Sequence, residues 1–193
     1  MTQSLGYLGI IAGLYAEWLW PWLNRALVLA FDGYGTALLA SADALMGRTP
    51  DGYSTNATNA NLAINCLDDP LKPSGPPPAE SEFLEASPVF GPILYGGAVA
   101  GCDGWPITPT VPAPDYSTPA AAPILVVGTT RDPATPYTNA QKLAELLPTG
   151  VLLTRDGDGH TAYRQGNDCI DDAINAFLID GTIPAEGATC PAV

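Results

Sequence analysis

The spacing of apolar positions along the chain changes character near residue 123. Before that point it is helical. Trp18, Trp22, Ala26 and Leu29 recur at helical spacing, Pro21 breaks or restarts the helix that carries them, and Asp32-Gly33 marks a stop. A second amphipathic helix is expected from about Thr36 to Leu45, ending at Gly47, and a shorter third from Asn59 to Cys66. Residues 82–100 return to helix, with interruptions near Pro88 and Pro92. Two proline-rich stretches, 69–80 and 106–123, read as exposed or extended connections.

After Pro123 the period shortens. Ile-Leu-Val-Val-Gly-Thr is a short apolar run bounded by turn residues, the pattern of a strand covered on both faces. Thr138 to Leu147 follows as a helix stopped by Pro148 and Gly150, then Val151 to Arg155 as a second strand and Asp168 to Ile179 as a last helix. This β-α-β-α order requires a parallel sheet. Two parallel strands cannot bury both faces or satisfy their edges by themselves. Residues 1–122 offer no convincing further parallel strand, so the sheet is expected to be completed by polypeptide outside these 193 residues.

Charge narrows the partners. Twenty acidic residues against seven basic ones give a formal net charge of −13, which repels phosphate backbones and anionic lipid. Nucleic acid and membrane surfaces are therefore poor partners. The stretch from Leu5 to Phe31 contains Glu17, Pro21 and Arg25, too interrupted for a membrane span, and it lacks the basic start and cleavage site of a signal peptide. Cys66, Cys102, Cys169 and Cys190 form no C-x-x-C pair, and one histidine makes a poor zinc site. Four cysteines allow three disulfide connectivities, of which the local pairs 66–102 and 169–190 are favoured. Four free thiols in a reducing compartment is the alternative.

The candidate chemistry sits in the loops that follow the two strands. Asp132 lies in GTTRDPATPY and His160 in DGDGHTAY. In an open parallel sheet such loops leave the carboxyl ends of the strands, where ligands bind. A carboxylate that accepts from one imidazole nitrogen fixes the tautomer, and the other nitrogen can then act as a general base. Gly157 and Gly159 are expected to turn the backbone so that the imidazole reaches the site. Asp156, Asp158, Asp168, Asp171 and Asp172 lack EF-hand spacing and read as a solvated face. Glu17, Asp32 and Asp43 are expected on helix surfaces, with anchoring of a substrate's amino terminus as the alternative; Trp18, Trp20 and Trp22 are expected to include core packing, with one lining an apolar substrate pocket as the alternative; and Arg131 is expected as a surface or salt-bridging residue.

The segments PILVVGTTRDPATPY, LLTRDGDGHTAY and CIDDAINAFLIDGTIPAEGATC resemble the C-terminal portion of the tripeptidyl-aminopeptidase-like α/β-hydrolases, peptidase family S33. WPWLNRALVLAFDGYGTALLASAD, INCLDDP and CDGWP resemble that family's helical lid and its cysteine-bearing elements. The resemblance implies a partial α/β-hydrolase fold: a helical lid subdomain over residues 1–105, a proline-rich connection over 106–122, and the last parallel strands and helices of the sheet over 123–193. It also implies Asp132 as triad acid, His160 as base, both local disulfides and no cofactor. The implied substrate is a peptide or ester, and the implied setting is outside the cell or in the envelope, with the export signal on sequence not present here.

One departure stands out. The family's serine precedes the acid and the base on a G-x-S-x-G elbow between strand and helix, and no such elbow occurs in this chain. Ser4 in TQSLG is the nearest approach, but Thr2 replaces the first glycine and no strand precedes it. The expectation is a secreted serine hydrolase whose nucleophile, and an N-terminal hydrolase segment with it, lie outside this chain. A catalytically inactive remnant or a lid-bearing binding module is the alternative.

Overall fold

A computed structural model describes residues 1–68, 79–100 (backbone alone for 96–100), 102, 105–107, 115–116 and 121–193. Most of both proline-rich connections lies outside the described residues. The chain divides into two compact units, one of Met1–Ala12 with Ala26–Ala113 and one of Gly13–Arg25 with Pro114–Val193.

The first unit is helical, as its periodicity predicts. Its elements are the first turns of α1 (Gln3–Leu14), the second half of α2 (Trp20–Phe31), α3 (Thr36–Met46), α4 (Ala57–Asp68), α5 (Glu80–Ala86) and α6 (Gly91–Ala100). α1 and α3 meet at Gly9, where an added Cβ would collide with the Leu38 carbonyl. Tyr7 stacks edge-on against Phe90 at 5.4 Å. Gly47 ends α3 in the left-handed conformation, φ +64°, as a C-terminal glycine cap does. A small antiparallel hairpin that the sequence pattern does not announce follows it, β1 (Arg48–Thr49) with β2 (Gly52–Tyr53). The Cys66–Cys102 disulfide ties α4 to the chain beyond α6. Asp43 pairs with Arg48 on the unit's surface.

Pro21 sits in the first turn of α2, which restarts the helix after a 3₁₀ turn at Glu17–Leu19. The buried stripe of α2 agrees with the expected one only at Ala26. Leu23 and Ala26 are buried, whereas Trp18, Trp20 and Trp22 are 75%, 41% and 38% exposed. The polar pair Asn24-Arg25 marks the outward side of the helix, and Leu23 and Ala26 lie opposite it, a signal that the spacing of Trp18, Trp22 and Leu29 does not follow. Leu23 wins its place because it lies against Gly13, where any side chain would crowd it.

The second unit holds a parallel sheet in the order β3-β4-β5: β3 (Ile124–Arg131), β4 (Gly150–Asp158) and β5 (Thr189–Cys190). One face is covered by α7 (Tyr137–Leu146). A Cβ on Gly128 would come within 2.8 Å of Ala140 and the Tyr137 ring, and the Tyr137 hydroxyl bonds Thr154 Oγ1 at 2.6 Å. On the other face Leu153 packs with Ala162, Cys190 and the Ile170–Ile174 ridge of α8 (Asp168–Asp180). Asn167 caps α8 by accepting the Ile170 N–H, and Gly181 closes it in the left-handed conformation. The Cys169–Cys190 disulfide joins the start of α8 to β5. Among the described residues, no strand pairs with the far edge of β3.

Both strands run further than their apolar runs suggest. After an irregularity between Thr129 and Arg131 the ladder resumes with Arg131 opposite Asp158. The reason is electrostatic: Arg131 reaches across to Asp156 and to Asp158, both at 2.8 Å, so the polar ends of the strands stay paired.

Candidate active site

Because β3 ends at Arg131 and β4 at Asp158, the next residues of the two neighbouring strands emerge at the same end of the sheet. Asp132 and His160 therefore meet. His160 Nδ1 lies 3.0 Å from each oxygen of the Asp132 carboxylate.

The carboxylate is held by main-chain donors. Oδ1 accepts from the amides of Ala134 and Thr135 at 2.8 Å each. Oδ2 accepts from the Thr135 hydroxyl at 2.8 Å and from the Thr161 amide at 3.1 Å. Its side chain is only 3% exposed, against 30% for His160. Burial alone would push the carboxyl up, but the Thr135 and Ala134 amides, the Thr135 hydroxyl and His160 outweigh it and hold it down at about 2, from an ordinary 3.8. Ionised Asp132 therefore stabilises the fold at pH values above its unfolded titration. That contribution, on the order of 2 kcal/mol, is lost as the pH falls from about 4 to about 2. The stability gap between the unsubstituted protein and Asp132→Ala should narrow across that window in acid-unfolding curves followed by circular dichroism. A gap independent of pH would contradict it.

Several residues that hold the site carry no local sequence signal. Thr161 adopts φ +69°, a strained conformation for a β-branched residue and one that surroundings must enforce. Its amide binds Asp132, and its carbonyl accepts from the Thr129 hydroxyl at 2.9 Å. Arg155, 7% exposed, braces the loop from within the sheet by donating to the carbonyls of Asp158 at 2.9 Å and Thr161 at 3.4 Å. Thr135 Oγ1 also stands 3.4 Å from His160 Nδ1. The glycines divide their work. Gly159, at φ +94°, makes the turn to His160, whereas Gly157 continues β4 and is small because a Cβ would press on the Arg155 guanidinium.

Three of the surrounding acidic residues, Asp156, Asp158 and Asp171, have partners of their own. Arg131 beside Asp156 lowers that carboxyl, with help from the Thr130 hydroxyl, and the two aspartates raise the guanidinium in turn. Asp171 accepts the Arg164 amide. Ser4 lies in the first turn of α1. No group of three or more metal-ligating side chains occurs among the described residues. None of their helices is long and apolar enough to cross a membrane.

An imidazole held at Nδ1 by an ionised carboxylate keeps its proton there and presents a basic Nε2 outward, the arrangement needed to take a proton from a nucleophile and return it to a leaving group. A groove of about 440 Å³ runs from Asp132 along β3, lined by Val126, Thr129, Asn139, Leu143 and Ile174.

The family model for TAP-like proteins, within the α/β-hydrolase group, matches residues 87–190. Serine protease Hip1 of Mycobacterium tuberculosis is 38% identical over 194 residues, covering 98% of this chain and 37% of that protein. Carboxylesterase B of the same species is 34% identical over 188 residues, covering 94% and 36%. Tripeptidyl aminopeptidase of Streptomyces lividans is 32% identical over 90 residues, covering 46% and 17%. The chain thus spans little more than a third of the length of the first two.

Proposed function

Starting from the fact that the chain belongs to the TAP-like α/β-hydrolases, a serine hydrolase family whose C-terminal portion it matches, we propose that Asp132 and His160 are the acid and base of a catalytic triad. The nucleophilic serine is supplied by polypeptide outside these 193 residues, in a secreted or envelope peptidase or esterase of family S33. The observation that carries this reading is the pairing of His160 Nδ1 with both oxygens of a buried carboxylate at the carboxyl ends of adjacent parallel strands. The edge of β3 that has no partner among the described residues supports the rest, because a strand covered on both faces calls for a further neighbour. Two disulfides suit an oxidising compartment.

In this mechanism His160 Nε2 removes the serine hydroxyl proton as the oxygen attacks the substrate carbonyl. Asp132 steadies the imidazolium, and the same proton passes to the departing amine or alcohol. Water, deprotonated by His160, then attacks the acyl-enzyme, the acyl–oxygen bond breaks to release the acid, and the proton returns from His160 to the serine oxygen. Residues 1–105 supply the helical lid that selects substrate, and 123–193 the end of the catalytic core. Short peptides with a free amino terminus suit the net charge of −13.

The test is active-site labelling with a fluorophosphonate. The 193-residue chain should not label alone. Adding a separately produced N-terminal α/β-hydrolase segment with a G-x-S-x-G elbow should produce labelling on the added segment's serine, and His160→Ala should abolish it. Labelling that survives His160→Ala would overturn the assignment, and no labelling with any such segment would favour an inactive or purely binding role.

A further inference from the structure

We propose that Tyr15 is a positioning residue for the His160 imidazole, acting through its main chain and its ring at once. This rests on the reading of His160 as the general base. Neither the triad pattern nor any strand–loop spacing points to Tyr15, which lies in the chain segment between α1 and α2.

α1 ends at Leu14, and Ala16 is extended, φ −148° and ψ 136°, ahead of the 3₁₀ turn. Tyr15 therefore sits at a bend, where its carbonyl is released from helical bonding. That carbonyl accepts the His160 N–H at 2.7 Å. The Tyr15 ring meets the imidazole edge-on, with centroids 5.1 Å apart and planes at 75°. Gly159 permits the approach, since a Cβ there would stand 3.1 Å from the Tyr15 carbonyl oxygen and its φ of +94° disfavours any side chain.

The two contacts do different things. Hydrogen bonding at Nδ1 fixes the tautomer but leaves the imidazole free to tilt about the line to Asp132. The carbonyl of Tyr15 fixes where the His160 backbone stands, and its ring removes the tilt. Together they set the direction in which Nε2 points, and proton transfer to a nucleophile depends steeply on such placement. The Tyr15 hydroxyl makes neither contact. Phenylalanine should therefore serve, and alanine should not. The carbonyl survives either substitution, so the pair of variants isolates the ring.

His160 is the chain's one histidine, so selective ¹³C,¹⁵N-histidine labelling gives a single imidazole spectrum from the 193-residue protein. The unsubstituted protein should show nuclear Overhauser contacts between the Tyr15 ring and the imidazole, together with ring-current-shifted imidazole protons. In Tyr15→Ala that shift should vanish. Other ring orientations should rise about threefold to tenfold, the range an edge-to-face pair supports, and appear as averaged side-chain couplings. Tyr15→Phe should match the unsubstituted spectrum. Absence of the ring–ring contact in the unsubstituted protein, or a Tyr15→Ala imidazole unchanged in shift and averaging, would overturn the assignment. Active-site labelling separates the two readings. Labelling that survives His160→Ala fails the acid–base reading, whereas a missing ring–ring contact in the unsubstituted protein fails Tyr15 alone.

Discussion

Asp132→Asn is expected to lower kcat of the assembled hydrolase by about four orders of magnitude, with far less change in KM. Asparagine has nearly the shape of aspartate, but this site is built for an acceptor at both positions. One oxygen takes the amides of Ala134 and Thr135, and the other takes the Thr161 amide and the Thr135 hydroxyl. An NH₂ group at either position faces a main-chain N–H and can satisfy neither. Whichever way the amide turns, His160 loses the charge that favours its imidazolium, and a turn that presents nitrogen to Nδ1 imposes the wrong tautomer. The measurement is steady-state kinetics of the complete enzyme carrying the substitution, with the imidazole tautomer read in parallel. A loss of less than about tenfold would show that the carboxylate does not support a base.

The second large effect concerns stability. Removing the Cys169–Cys190 bridge by paired serine substitutions is expected to cost about 3 kcal/mol, the loop-closure contribution for a 21-residue separation. The location adds to this. Cys190 is 2% exposed in the core beside Leu153 and Ile170, and β5 pairs with β4 through only Thr189 and Cys190. Without the bridge β5 should detach first, and the Thr154 amide, which donates to the Ala188 carbonyl, should lose its protection from solvent exchange. Urea unfolding and amide exchange measure the two parts. A shift below about 1 kcal/mol with Thr154 still protected would mean that packing alone holds β5.

The sequence made the α/β order, Asp132 and His160 legible for a physical reason. Short apolar runs bounded by turn residues locate strands, and the polar residues just beyond their carboxyl ends are the ones that converge. The two local disulfides were legible as a preference among three pairings and as an implication of the family resemblance. β5 was not legible, because Thr189–Cys190 is too short to show a period and is placed by its disulfide and by β4. The hairpin at Arg48–Tyr53 was hidden for the same reason. The face of α2 was misread in part because the tryptophans drew the stripe, whereas the polar pair Asn24-Arg25 points away from Leu23 and Ala26, which are buried. Thr161 and Tyr15 contribute main-chain groups to the site, and main-chain groups leave no trace in residue type. Gly157 and Gly159 look alike in sequence, yet one yields space to Arg155 and the other reverses the chain.

The open side of β3 also bears on how the polypeptide behaves in a test tube. Eight residues of extended backbone, Ile124 to Arg131, present amide and carbonyl groups on that side with no ladder partner among the described residues. Such a margin accepts any strand that offers itself, including the same strand of another molecule. Preparations of the isolated chain therefore carry a built-in route to edge-to-edge clumping. Arg131, at the end of the strand, is the only formal charge in that segment to oppose it.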